Sequence, residues 1–209
     1  MKMRLDARQR RLLEDLHRLD ELVERGDVER ARKLLFAVRE SMRSQGRGHG
    51  FASWRLSILA DNEGELVEAM NYVTEALEQD PLSQPFRRSF EIIAGRIRTV
   101  LTAPDRDPAD PSTPELYELL VRFDAADEPS HLAMAAWSLR AGHPRMAHAL
   151  AAAVTVLSPG SVDAWRLRAA AARELGLDDE ARECEQESAL RTAGEVGGGN
   201  GAIAAPALA

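Results

Sequence analysis

Five histidines and one cysteine are the residues of this chain best suited to hold a metal or act as a nucleophile. Their spacing supports neither use. His17, His49, His131, His143 and His148 include no pair four residues apart, the separation that aims two imidazoles on one helix at a single ion. Cys184 has no second cysteine with which to build a zinc site or an internal disulfide. Asp105, Asp107 and Asp110 begin like a calcium loop, but the central glycine and terminal glutamate of such a loop are missing. Gly46-Arg47-Gly48-His49-Gly50 has the glycine content of a phosphate cradle without its preceding strand or glycine spacing, and is read as a flexible link. No Gly-x-Ser-x-Gly elbow occurs, and Asp178 with Asp179 suits the positive end of a helix better than acid–base catalysis. No catalytic residue, metal site or cofactor site emerges, so a non-enzymatic protein is expected.

Any functional residues must therefore be held by helices. Ala, Leu, Glu and Arg dominate the 209 residues, 44% of the chain is apolar, and no stretch shows the alternating Val, Ile and Thr of a sheet. Such a chain can bury a core, and its class is all-α. The net charge of −7 opposes a general affinity for nucleic acid, which needs a concentrated basic surface. Residues 1 to 50 carry 13 Lys and Arg against 9 Asp and Glu, leaving 14 against 25 for the remainder. Because acidic residues interrupt the basic ones, that front reads as a solvated helical face and not as a nucleic-acid or membrane patch. The lone cysteine, the charged start and the lack of any window near the ~20 apolar residues of a membrane span lead to the expectation of a soluble, cytoplasmic protein.

The strongest signal is a repeat. A glycine is followed five residues later by an alanine four times: Gly26 with Ala31, Gly64 with Ala69, Gly142 with Ala147 and Gly176 with Ala181. The last two pairs lie 34 residues apart. The glycine can end a first helix in a left-handed conformation that a Cβ resists, and the small alanine lets a second helix approach closely. Trp54, Leu56 and Leu59, or Trp165, Leu167 and Ala171, form the apolar face before the glycine, and Val73, Ala76 and Leu77 continue it after the alanine. Asp80-Pro81 and Ser158-Pro159 stop the second helix.

Ser53-Trp54-Arg55-Leu56, Gly64, Glu68-Ala69, Glu75-Ala76-Leu77 and Asp80-Pro81 together resemble the tetratricopeptide repeat family, and Ala164-Trp165 through Gly176 to Glu180-Ala181 is similar. The unit from Ser130 to Pro159 keeps the Gly, Ala and Pro but has His131 near the family's early Trp. Residues 82 to 128 lack the pair yet still read as helices, with Phe86, Phe90, Ile93, Ile97 and Leu101 on one face and a second helix from Glu115 to Phe123 after Pro114. Five hairpins are expected, at about 4–44, 51–80, 82–126, 129–158 and 161–192, the third irregular, in one TPR-like domain over 1–192. A Gly/Ala-rich flexible tail is expected over 193–209. Its ending, Pro206-Ala207-Leu208-Ala209, loosely resembles the small apolar ends read by bacterial proteases, an inert tail being the preferred reading. The loop from Thr102 to Pro114, with Pro104, Pro108 and Pro111, either reaches over a groove or acts as a spacer, and the spacer is preferred.

The resemblance implies a right-handed α-solenoid whose first helices line a concave groove. On that pattern the groove residues are Arg55, Leu59, Asn62, Leu132, Arg140, Asp163, Arg166 and Arg173. Trp54 lies ten residues before its glycine and Trp165 eleven before its own, which leaves the register of the second unit open by one residue. Arg and Asn there would clamp a backbone or carboxylate, and the two Leu would form apolar pockets. Phe86, Arg87, Arg88 and Arg96 would extend the wall, Phe86 fitting the core better. The expected role is an adaptor that binds a peptide or helix of another protein, with neither nucleic acid nor membrane insertion. The alternatives are a secretion-type chaperone for one client, or a self-assembling structural protein whose N-terminal Leu12, Leu16, Leu19 and Val23 pack against a second copy as a homodimer. That stripe is read first as serving its own hairpin.

Overall fold

A computed structural model describes residues 7–46, 48–107 and 109–198. Among them are ten helices and no strand: α1 (Ala7–Glu24), α2 (Val28–Ser44), α3 (Gly50–Glu63), α4 (Leu66–Gln79), α5 (Gln84–Leu101), α6 (Thr113–Arg122), α7 (Glu128–Arg140), α8 (Pro144–Leu157), α9 (Val162–Glu174) and α10 (Asp178–Gly198). The chain divides into two compact units, the first running to Ile97 and the second from Arg98 onward. Hairpins α1/α2 and α3/α4 build the first, and α7/α8 and α9/α10 the second, in which α6 also packs on α7.

The four glycine–alanine pairs form the hairpin turns. Gly26, Gly64, Gly142 and Gly176 all adopt positive φ, between 72° and 80°. In each turn the residue after the glycine donates its N–H to a carbonyl five residues back, as Glu65 does to Ala60 at 2.9 Å and Leu177 to Ala172 at 2.9 Å. This bond closes the helix end and reverses the chain. The partner alanines Ala31, Ala69, Ala147 and Ala181 are at most 2% exposed. A turn of the same form, without a glycine, joins α6 to α7: Asp124 takes φ 54°, and Ala125 donates to Leu120 at 2.8 Å. Asp tolerates this conformation better than most residues.

Two differences from the sequence expectation follow from local chemistry. Pro114 sits in the first turn of α6 and not in the loop, because a proline there lacks only an N–H that the helix would leave unpaired. α10 continues into the glycine-rich stretch as far as Gly198; Pro108, and the expected tail from 199 onward, lie outside the described residues. The loop between α5 and α6 is folded on itself by Arg106, which donates to Ser112 Oγ at 2.7 Å and to Thr113 Oγ1 at 3.2 Å and pairs with Asp110.

In the first unit Leu19, Ala31, Leu35, Ala52, Leu56 and Leu59 form one buried cluster. Leu19 therefore belongs to its own hairpin, while the side chains of Leu12 and Leu16 are outside the described set and Val23 is 40% exposed. Alanine dominates the core of the second unit, where Ala135, Ala147, Ala151, Ala164, Ala171 and Ala172 are all 0% exposed. Each unit also carries a polar clamp across three helices. Glu75 on α4 accepts from Arg39 on α2 and is bonded to His49 and Ser53 at the start of α3, and Glu180 on α10 accepts from Arg168 on α9 and meets His148 on α8.

Gly95 lies inside α5, and a Cβ there would meet open space. Gly95→Ala is expected to stabilise the chain by about 0.5–1 kcal/mol, because it removes unfolded-state freedom without strain. Gly64→Ala, forced to φ 80°, is expected to cost about 1 kcal/mol or more. Urea denaturation of the two variants beside the parent checks both signs.

Candidate functional site

The packing of α3 decides which of its residues are left for a ligand. Ala52, Ser53, Leu56, Ser57, Leu59 and Ala60 are all below 9% exposed, so this arc of the helix is consumed by packing. The arc that remains carries Trp54, Ile58 and Asp61, spaced four and three residues apart on one face. Across from them α5 presents Gln84, Pro85, Arg88, Ser89, Ile92 and Ile93, and the two rows enclose an open groove of about 730 Å³ within the first unit.

Its floor is apolar and rigid. The Trp54 ring packs on Phe86 at 5.7 Å between centroids and edge-on to Phe51 at 5.6 Å, and its Nε1 donates to Ser89 Oγ at 2.8 Å, which fixes the ring's orientation. Phe86 is core, as expected. Ile92 opens onto the groove with 48% of its surface exposed. At one end Arg96 Nη1 donates to the Asp61 carboxylate at 2.8 Å and to the Asp61 carbonyl at 3.0 Å, so both charges are engaged. Arg87 donates to the Pro81 carbonyl at 2.7 Å. Arg88, at the groove, is exposed and makes no ion pair among the described residues. The arrangement suits an apolar side chain laid on Trp54, Ile58 and Ile92 with a carboxylate beside Arg88. It holds no pairing of nucleophile and base.

The expected residues of this unit are displaced by one. Arg55 pairs with Asp20 on α1 at 2.9 Å, Leu59 is 7% exposed inside the core cluster, and Asn62 is exposed outside the groove lining. Their predecessors Trp54, Ile58 and Asp61 take the groove. The displacement arises because Trp54 is not the equivalent of Trp165: counting back from each glycine pairs Trp165 with Ser53. In the second unit Leu132 is half-buried on α7 and Arg140 is exposed. Arg166 and Asp163 pair with each other at 3.5 Å at the start of α9, and Arg173 pairs with Glu185 on α10. Counted from their glycines, Leu132 and Arg166 are the equivalents of Trp54, and Arg173 is the equivalent of Asp61. Arg140 stands one place off, Leu139 being at the Asp61 position.

The same count shows a shared interior. Twelve, seven and four residues before the glycine stand Ala52, Ser57 and Ala60 in one hairpin, Ser130, Ala135 and Ser138 in the next, and Ala164, Ala169 and Ala172 in the last. All nine are at most 3% exposed. The hairpins are tetratricopeptide-like. No family model matches the chain, and no curated protein does. Solved structures similar to it include MamA, at 14% identity over 86% of this chain and 96% of that one with a TM-score of 0.43. Also similar is the complex of the TPR2AB domain of yeast Sti1 with pHSP90, at 16% identity, 88% and 79% coverage and a TM-score of 0.36. A third is Acl4, an assembly chaperone of RpL4, at 19% identity, 84% and 73% coverage and a TM-score of 0.32.

Proposed function

We propose that this tetratricopeptide-like chain is a non-enzymatic adaptor that holds a peptide or helix of another protein in the groove between α3 and α5. The open groove carries the reading: a fixed indole, three isoleucines and a proline line it, and Arg88 beside them makes no ion pair among the described residues. Apolar surface of this kind, preformed on rigid helices, costs little further ordering when a partner enters. No described helix is long and apolar enough to cross a membrane, and a cytoplasmic partner is the one we propose.

The test places a photo-crosslinking amino acid at Ile92 and irradiates the native lysate. A captured protein is expected, and capture should fall at least about tenfold when Ile58→Glu is added, since an unpaired carboxylate would then sit on the apolar floor. Ile58 is half-buried, so circular dichroism must show the variant folded. A partner captured equally with and without Ile58→Glu in a folded protein would defeat the proposal.

A further inference from the structure

Helix α8 breaks the pattern set by the other second helices. Lys33 on α2, Glu78 on α4, Glu118 on α6 and Glu183 on α10 stand among the exposed residues of their helices and give each a charged outer face. The exposed residues of α8 are Arg145, Met146, Ala149, Ala153, Val156 and Leu157, a single stripe about 120° wide with its only charge at one end. Met146 is 48% exposed, Val156 75% and Leu157 78%. The remaining polar side chains of α8 are turned elsewhere, His148 to Glu180 and Thr155 to the Ala152 carbonyl. A stripe of large apolar residues left exposed along a helix ordinarily marks a contact with something else.

We infer that this stripe is a self-association surface, on which α8 of a second copy packs antiparallel. The pattern reads alike from both ends. About a two-fold axis at Ala151, Met146 faces the Val156 of the second copy, Ala149 faces its Ala153, and Arg145 faces its Leu157. Small residues meet at the centre, where the backbones cross closely, and large ones meet at both rims, which is the self-complementarity that a two-fold interface requires. The charges agree with the same orientation. Arg145 makes no ion pair among the described residues, and antiparallel packing sets it at the negative C-terminal end of the opposite α8, with no like charges in the stripe. A parallel pairing would bring the two Arg145 together instead. One helix face per copy is smaller than the roughly 800 Å² per partner of a standard interface, which puts the dimer among the weak, concentration-dependent associations.

Sedimentation velocity from about 1 to 500 µM, a span that covers micromolar association, tests the association on the full chain, and disulfide formation tests its geometry. In a Cys184→Ala background, a mixture of Ala149→Cys and Ala153→Cys proteins is expected to cross-link to each other faster than either does to itself. Ala153→Glu adds a charge to an exposed helical position, so it leaves the monomer folded and is expected to weaken the dimer at least tenfold. A monomer at every concentration overturns the inference. So does a dimer that survives Ala153→Glu, or one in which the Ala149→Cys protein cross-links faster to its own kind than to Ala153→Cys.

Discussion

Glu75→Ala is expected to lower the unfolding free energy by about 3 kcal/mol, because it removes the one carboxylate that Arg39, His49 and Ser53 share across α2, α3 and α4. The Arg39 guanidinium donates to both Glu75 oxygens, at 2.8 and 2.9 Å, and lies over the Tyr72 ring. His49 Nε2 reaches the same carboxylate at 2.9 Å and Ser53 Oγ donates to it at 3.0 Å. Burial by itself would raise the Glu75 pKa, but the hydrogen bonds from Arg39, His49 and Ser53 outweigh it and hold the group below its usual value. A carboxyl lowered in the folded state contributes stability that is present above its unfolded pKa and is lost as pH falls through the folded one. Glu180 is lowered in the same way, by Arg168 first and His148 second. The parent should therefore lose stability more steeply than Glu75→Gln between about pH 5 and pH 3, and the gap between them should narrow toward the acid end. Urea midpoints across that range measure both the size and the sign.

Ala69→Leu is expected to be comparably harmful, at about 3 kcal/mol, although it adds only apolar atoms. Ala69 is 0% exposed and stands five residues past the left-handed Gly64, in α4 directly after its turn from α3. A longer side chain must push α4 off α3 or leave its rotamer, and the turn behind it is too short to absorb the movement. Ala37→Leu on the exposed side of α2 makes the same chemical change and should alter stability by no more than roughly 0.5 kcal/mol. Thermal melts of the two variants separate packing from composition: equal melting temperatures would show that the alanine is not there to let the helices close.

The hairpins were legible because their turns depend on residue type. Only glycine takes φ near 75° freely, so Gly26, Gly64, Gly142 and Gly176 mark four turns in the sequence itself. Asp124 makes a turn of the same form between α6 and α7 with a residue that has many other uses, and no local signal separates it from a surface aspartate. Of the candidate groove between α3 and α5, the sequence marked the tryptophan but not the register. A tryptophan is a conspicuous anchor, yet Trp54 and Trp165 occupy successive positions on their helices, and one step along a helix turns a side chain by about 100°. That step moved Leu59 into the core and exchanged it for Ile58. The turn glycine, not the aromatic, is the reliable origin, since Ala52, Ser130 and Ala164 fall into line only when counted from it. The Glu75 clamp could not be read at all, because its members stand on three helices and each alone looks like an ordinary polar residue of an amphipathic face.

The indole in the groove has an optical consequence. Trp54 is one of three tryptophans, and Trp165 is enclosed differently, with the guanidinium groups of Arg168 and Arg191 at 5.6 and 4.7 Å from its ring centroid. Tryptophan emission shifts to shorter wavelength as water leaves the ring. With Trp137 and Trp165 replaced by phenylalanine, the remaining fluorophore would sit against Ser89, Ile58 and Ile92, and its spectrum would register the arrival of a ligand of any identity without dye or tag.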